Sequence, residues 1–283
     1  MAVRRGFVDN NFTTKKDRKE RRQAWFYPYF AIYMSIKPLA FLEAAQYQRQ
    51  RLLAVLFDPD DDAAQVSELA TRCDARGVDL ILVGGSLLTR GNTEECLQLI
   101  RKSYSGPVVL FPGDEIQVTT GADGILLLSL ISGRNADYLI GKHVSAAPFI
   151  QRAGLTCLPT GYLLIDGGRT TAAHYISQTM PIPADKGEIA ATTALAGQQL
   201  GLQYMYLDAG SGAITPVPAP MIRAVRAAVS CPVFVGGGIR NEAAAAAAWE
   251  AGATVVVVGN GLAADPTLLE RICSVKNHTC HQS

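Results

Sequence analysis

Eight short apolar runs, rich in β-branched residues, recur along this chain, and most are followed by a turn and a segment of helical period. That alternation predicts parallel βα units, because parallel neighbours need a crossover that returns over the sheet face. The runs are LLAVLF (52–57), DLILVGG (79–85), PVVLFPG (107–113), GILLLSLI (124–131), LPTGYLLID (158–166), QYMYLDAG (203–210), PVFVGGG (232–238) and TVVVVGN (254–260). They are apolar almost throughout, as strands buried on both faces must be. Eight is the strand number of the (β/α)8 TIM barrel, and this α/β architecture is the predicted fold. An open doubly wound sheet is the competing arrangement. Helical segments fill most gaps, at 63–76, 93–104, 137–153, 188–200, 218–229 and 241–252. One gap breaks the rule. Between PVVLFPG and GILLLSLI lies only DEIQVTTGAD, about ten residues, too short for a helix with its two loops. The predicted barrel is therefore modified, with its third helix missing. The gap should open a slot in the outer wall beside strands three and four, suited to a long apolar ligand.

A length of 283 residues, 48% of them hydrophobic, suits one large core. A net charge of +1 supplies no field for a phosphodiester backbone, so no nucleic-acid partner is expected and acidic substrates must be recognised locally. Six scattered cysteines without a C-x-x-C pair read as buried thiols in a reducing compartment, hence a cytoplasmic protein. Residues 1–37 stand apart as a basic and then aromatic extension, WFYPYFAIY being too short to span a bilayer. We read them as disordered or as upstream sequence ahead of a start at Met34, the alternative being a segment lying on a membrane surface. The barrel domain is expected over 38–276, with a flexible tail at 277–283. The Cys, His-containing stretch from Cys273 through His278, Cys280 and His281 matches no structural zinc spacing and is expected to be disordered.

Candidate chemistry collects at the predicted strand ends. VGGGIR and VVVVGN close runs seven and eight, where barrels commonly hold phosphate, because glycine lets backbone N–H groups approach an anion. Gly237, Gly238, Gly259 and Asn260 are the candidates there, and Arg240 either adds charge or faces solvent. Run six ends YLDAGSGA, placing Tyr206 and Asp208 on one face by strand alternation. A carboxylate beside a phosphate pocket helps only by binding neutral hydroxyls or taking a proton, so Asp208 points to a polyol phosphate. Asp58 and Ser86 end runs one and two as hard oxygen donors, which suit Mg²⁺ bound together with a phosphorylated substrate. Asp60, Asp61 and Asp62 fall in the first turn of the next helix, a position that acidic residues favour for its dipole. Ser132, Arg134 and Asn135 are weaker candidates for the mouth, and a helix N-terminus uses such residues anyway. His143 and His174 read as structural.

Taken in order, FDPDDD, VGGS, LFPG, SLISGRN, PTGYLLIDGG, YLDAGSGA, VGGGIR and VVVGN resemble the geranylgeranylglyceryl phosphate synthase family over roughly Leu52 to Asp265. The resemblance implies a barrel lacking its third helix. It implies a Mg²⁺-dependent prenyltransferase that joins the C3 hydroxyl of sn-glycerol 1-phosphate to a prenyl diphosphate, geranylgeranyl diphosphate by preference, and releases diphosphate. By resemblance Asp58 and Ser86 match the metal positions. Tyr206, Leu207, Asp208, Ala209, Gly210, Ser211, Gly212, Gly237, Gly238, Gly259 and Asn260 match the glycerol phosphate site, with Asp208 and Tyr206 in the catalytic roles. Many relatives carry glutamate at the Asp208 position, which leaves this carboxylate one methylene short. No D-D-x-x-D motif of chain-elongating prenyltransferases occurs in these segments. A homo-oligomer and transient contact with a membrane surface are also implied. The alternatives are another chain-length variant such as a heptaprenyl enzyme, a sugar-phosphate barrel isomerase or synthase, and an inactive phosphate-binding module.

Overall fold

The computed structural model describes residues 39–278, so the 1–37 extension and the tail residues Cys280 and His281 lie outside the described residues. The eight apolar runs form β1 (Leu52–Phe57), β2 (Leu80–Val83), β3 (Val108–Leu110), β4 (Gly124–Ser129), β5 (Thr156–Leu164), β6 (Tyr204–Asp208), β7 (Val233–Gly236) and β8 (Val255–Val258). All pairings are parallel, and β1 pairs with both β2 and β8, Ala54 opposite Leu80 and Leu52 opposite Val255, closing the barrel in chain order. Most strands stop short of the predicted runs because their terminal glycines and polar residues belong to the loops that shape the mouth.

Around the barrel run α1 (Phe41–Gln48), α2 (Ala63–Ala75), α3 (Thr93–Arg101), α4 (Lys142–Ala153), α5 (Ala172–Ser177), α6 (Gly187–Gln199), α7 (Ala219–Ala228), α8 (Glu242–Glu250), α9 (Gly261–Ala264) and α10 (Leu268–His278). Side-chain caps start several of them. Asp62 accepts from the Ala64 N–H at 2.9 Å, Asn92 from Glu94 at 2.8 Å and Asn241 from Ala244 at 2.8 Å, each satisfying an orphan donor of a first turn. No helix among the described residues is long and apolar enough to cross a membrane.

The third crossover helix is missing, as predicted: between β3 and β4 stands only a single 3-10 turn, Glu115–Gln117. Side chains hold this connection in place of helical packing. Gln117, 1% exposed, donates to the Gly85 carbonyl at 2.9 Å and accepts the Gly85 N–H at 3.3 Å. Asp123 accepts from the Val108 N–H at 2.8 Å and from Arg101 at 2.7 Å.

Strand alternation sorts the core into two layers. Ala54, Leu82, Leu126, Leu158, Tyr204, Tyr206 and Phe234 fill the barrel, while Leu53, Val55, Ile125, Leu163 and Leu207 pack outward against helices. Three rings stack through the interior, Phe111 on Tyr206 at 5.1 Å and Tyr206 on Phe234 at 5.9 Å. α1, which periodicity did not single out, plugs the opposite end of the barrel: Leu42 and Ala45 are fully buried, and Tyr204 donates to Glu43 at 2.5 Å.

Two expectations are corrected. Cys273 through His278 are not a disordered tail but part of α10, which packs on α8 and β1 and buries Cys273. The amphipathic face of LLERICSVKNH accounts for it, since its apolar side covers β1 beside α8. Nor are all the cysteines buried: Cys73, Cys96 and Cys273 are, but Cys231 is half-buried and Cys157 exposed at the start of β5.

Candidate active site

A cavity of about 1090 Å³ opens at the C-terminal ends of the strands, the end where barrels of this kind place their chemistry. Asp58, Ser86, Tyr206, Asp208, Ser211, Gly212, Gly237, Gly238, Gly259 and Asn260 all line it. Leu207, Ala209 and Gly210 do not. Leu207 and Ala209 are fully buried in the helix-facing layer, because alternation turns every second residue of β6 outward, and the Gly210 N–H is committed to Asp208 at 2.7 Å. Ser132, Arg134 and Asn135 also stay out of the cavity: the Ser132 hydroxyl accepts from the Leu164 N–H at 3.0 Å, and Arg134 and Asn135 bond to local backbone.

The β6–β8 side of the mouth is backbone held in tight loops. Gly237 and Gly238 adopt φ of 78° and 70°, and a Cβ on Gly237 would lie 2.6 Å from the Gly210 nitrogen and 2.7 Å from Asp208 Oδ1. Only glycine fits there. Gly259 differs, since a Cβ would meet nothing closer than 3.5 Å. Arg240 is exposed and straps the β7 loop to the β6 loop, donating to the carbonyl of Ala213 at 2.8 Å.

Asp208 sits beneath these loops, 7% exposed, with both oxygens engaged. Oδ1 accepts from Gly210, and Oδ2 accepts from the Tyr162 hydroxyl. Burial pushes the Asp208 carboxyl above the usual carboxylate range, opposed by the Tyr162 and Gly210 hydrogen bonds and by nearby His174. Thr171 lies against Gly210, and its N–H donates to His174 Nδ1 at 3.3 Å, so a neutral His174 ring carries its proton on Nε2. Nε2 is buried without a partner among the described residues, and burial holds His174 below its ordinary pKa.

Across the mouth, the four aspartates that follow Phe57 divide their work. Asp62 is the α2 cap described above. Asp60 accepts from the backbone of Thr89, Arg90 and Gly91 at 2.9, 2.9 and 2.7 Å and from the Thr89 hydroxyl, bonds that tie down the β2 loop and hold its carboxyl well below the usual range. Asp58 and Asp61 face the cavity instead. Partial burial pushes the Asp58 carboxyl up, and the charges of Asp61 and Asp60 add to that. Among the described residues no cation pairs with Asp58.

Where the third helix is missing, the cavity continues into an apolar slot. Its floor is the outward face of β4, Ile125 and Leu127, and its banks are Val118 on one side and Ala146 and Ile150 of α4 on the other. His143, read from sequence as structural, lines this region and bonds through Nε2 to the Leu128 carbonyl at 2.8 Å. Tyr162 and Gln117 escaped the sequence reading. Tyr162 had a usable signal, a lone hydroxyl-bearing ring on an apolar strand in register with Tyr206. Gln117 had none, since its clamp on Gly85 is made across the fold.

Fold and site together define a (β/α)8-barrel enzyme, with a polar mouth and an apolar slot at one strand end. The chain belongs to the PcrB family, which residues 45–276 match. It is 53% identical to the geranylgeranylglyceryl phosphate synthase of Spirosoma linguale over 227 residues, 80% of this chain and 91% of that protein. With the enzyme of the same name from Thermococcus kodakarensis it shares 41% over 217 residues, 76% and 85% of the two chains. The crystal structure of (S)-3-O-geranylgeranylglyceryl phosphate synthase from Thermoplasma acidophilum, in complex with its substrate sn-glycerol-1-phosphate, superposes with a TM-score of 0.77 at 28% identity, covering 84% of this chain and 98% of that one.

Proposed function

We infer that this protein is a prenyltransferase that joins the C3 hydroxyl of sn-glycerol 1-phosphate to a prenyl diphosphate, geranylgeranyl diphosphate by preference, to give the prenylglyceryl phosphate ether and diphosphate. The observation that carries this is the continuity of one cavity, from a buried carboxylate under a glycine-rich mouth into an apolar slot. A sugar-phosphate isomerase needs the first and has no use for the second.

In this reading the phosphate of the glycerol substrate docks on the backbone of Gly237, Gly238, Gly259 and Asn260, with Ser211 and Gly212 completing the rim. Tyr206 and Asp208 orient the free hydroxyls. Docking converts binding energy into orientation, so that the C3 oxygen faces C1 of the prenyl chain. As the C1–O bond to diphosphate breaks and its electron pair leaves with the diphosphate, the C3 oxygen forms the new ether bond and its proton passes to Asp208. The raised Asp208 carboxyl is a stronger base than an exposed aspartate, which favours that transfer. Leu207, Ala209 and Gly210 support this loop rather than touch substrate.

Asp58 and Ser86 fit a Mg²⁺ site. A half-buried carboxylate with no cation beside it and a hydroxyl lining the same cavity are hard oxygen donors of the kind that complete a Mg²⁺ shell with water and substrate phosphates. Bound there, the metal would neutralise charge on the departing diphosphate. Burial of the tail in the slot, at roughly 0.8 kcal/mol per methylene before discounts, supports a long chain. A product this apolar leaves through transient contact with a membrane surface, from a cytoplasmic enzyme. Ile140 and Val144, exposed together beside Ala147 and Cys157, support assembly into a homo-oligomer.

The test is a product assay with purified protein, sn-glycerol 1-phosphate and radiolabelled prenyl diphosphates of several lengths, geranylgeranyl diphosphate among them, with and without Mg²⁺. Metal-dependent formation of the ether is expected. Bound glycerol phosphate with no ether at any prenyl length would sink the reading.

A further inference from the structure

We propose that Lys142, Asp114 and Glu115 form an ionic strap across the slot, which closes over the prenyl tail and favours retention of long chains. The inference rests on the slot being the tail site. Lys142 opens α4 on one bank, and Asp114 and Glu115 open the 3-10 turn that stands in place of the third helix on the other. Lys142 Nζ lies 2.5 Å from Asp114 Oδ2 and 3.3 Å from Glu115 Oε2, and 5.5 Å from the centroid of the Tyr138 ring. All four side chains line the cavity, at the rim of the apolar slot formed by Val118, Leu127, Ala146 and Ile150.

In place of a helix one bank has only a 3-10 turn, pinned from behind by Gln117, and these ion pairs join its charged start to the start of α4. The three charged side chains keep about a third of their surface in water, 31%, 35% and 31%. Pairs that exposed are weak, so the strap opens without unfolding anything. An open strap admits an apolar chain from the side of the barrel, and a closed one covers it. Only a chain long enough to reach under the strap gains from its closing, which makes these residues determinants of chain-length preference. The competing role for Lys142 is direct contact with the diphosphate, but two carboxylates already neutralise it. The two roles predict opposite effects when those carboxylates are removed.

The experiment is calorimetric titration of the full-length protein with geranyl, farnesyl and geranylgeranyl diphosphates, in wild type, Lys142→Met, Asp114→Asn and the conservative Lys142→Arg. Asparagine keeps the acceptor that Asp114 offers the Ile116 N–H at 3.3 Å, so the turn survives, and thermal melting verifies the fold of each variant. Lys142→Met and Asp114→Asn should each weaken geranylgeranyl diphosphate about fivefold, the scale of a half-exposed ion pair. Geranyl diphosphate should change little, and Lys142→Arg, which keeps the cation opposite Asp114 and Glu115, should retain wild-type affinity. Tighter binding by Asp114→Asn would overturn the strap in favour of a diphosphate-binding lysine. Equal losses for all three chain lengths, or no loss at all, would overturn it as well. Binding is read without turnover, so a wild type that binds the chains but makes no ether would count against the reaction and leave the strap to be judged on its own result.

Discussion

At the β6–β8 end of the cavity the wall is backbone, with Gly237 and Gly238 in left-handed conformation and Asp208 bonded to both Tyr162 and Gly210. At the β3–β4 end it is side chains around a missing helix: a 3-10 turn pinned by Gln117, and banks bridged by Lys142. The first arrangement has almost no freedom, since a Cβ on Gly237 already collides with its neighbours. The second has one buried clamp, Gln117, and otherwise rests on ion pairs whose side chains keep about a third of their surface in water. A rigid polar end suits a small substrate that must be aimed, and a compliant apolar end suits a flexible chain that must be admitted and released.

Breaking the rigid end at its chemistry should have the largest effect. Asp208→Asn is expected to lower kcat by about 10²–10⁴-fold, the usual range for losing a general base. The same change should raise Tm at neutral pH. A carboxyl whose folded pKa is raised destabilises the fold when ionised, and this penalty is present above the folded pKa and gone below the unfolded value. The Tm gain should therefore shrink as pH falls into the ordinary carboxylate range, and a gain constant with pH would refute a raised Asp208.

Two glycines separate strain from ligand access. Gly237→Ala should cost about 1–3 kcal/mol of stability, from positive φ and the clash with Asp208, and should weaken glycerol phosphate binding with it. Gly259→Ala has room for its Cβ, so Tm should hold while KM for glycerol phosphate rises. An unchanged KM would remove Gly259 from the phosphate grip.

At the compliant end, Ala146→Phe should fill the slot from the α4 bank. We expect preference to shift toward shorter prenyl diphosphates by about tenfold, since each buried methylene lost costs roughly 0.8 kcal/mol before discounts. Competition between two chain lengths measures it, and an unaltered ratio would place the tail elsewhere.

The smallest effect is expected of Tyr162→Phe. Its hydroxyl favours the ionised form of Asp208, so removing it should move the acidic limb of the kcat/KM profile to higher pH, with less than about a fivefold loss at the optimum. A limb that stays in place would dissociate Tyr162 from the Asp208 titration.

The same contrast separates what could be read early from what could not. Tyr206, Asp208, Gly237 and Gly238 were legible because strand parity and glycine pairs are local patterns, and the ten-residue gap after PVVLFPG revealed the missing helix by length alone. Leu207 and Ala209 were carried along by a contiguous motif, although parity turns them toward the helices. Asp61 looked like a helix-dipole residue, and only the folded mouth separates it from Asp62, which caps, and Asp60, which clamps a loop.

The eight-strand barrel, the absent helix and the glycine-lined mouth were thus determined by the sequence itself, because periodicity, segment length and backbone conformational limits act over a few neighbouring residues. The partners of Asp208, the Gln117 clamp, the α1 plug, the docking of α10 and the bridge from Lys142 to Asp114 were decided only by tertiary structure. Each joins groups far apart in the chain or burial created by other elements, and no local pattern encodes which distant side chain closure of the barrel will bring within hydrogen-bonding reach.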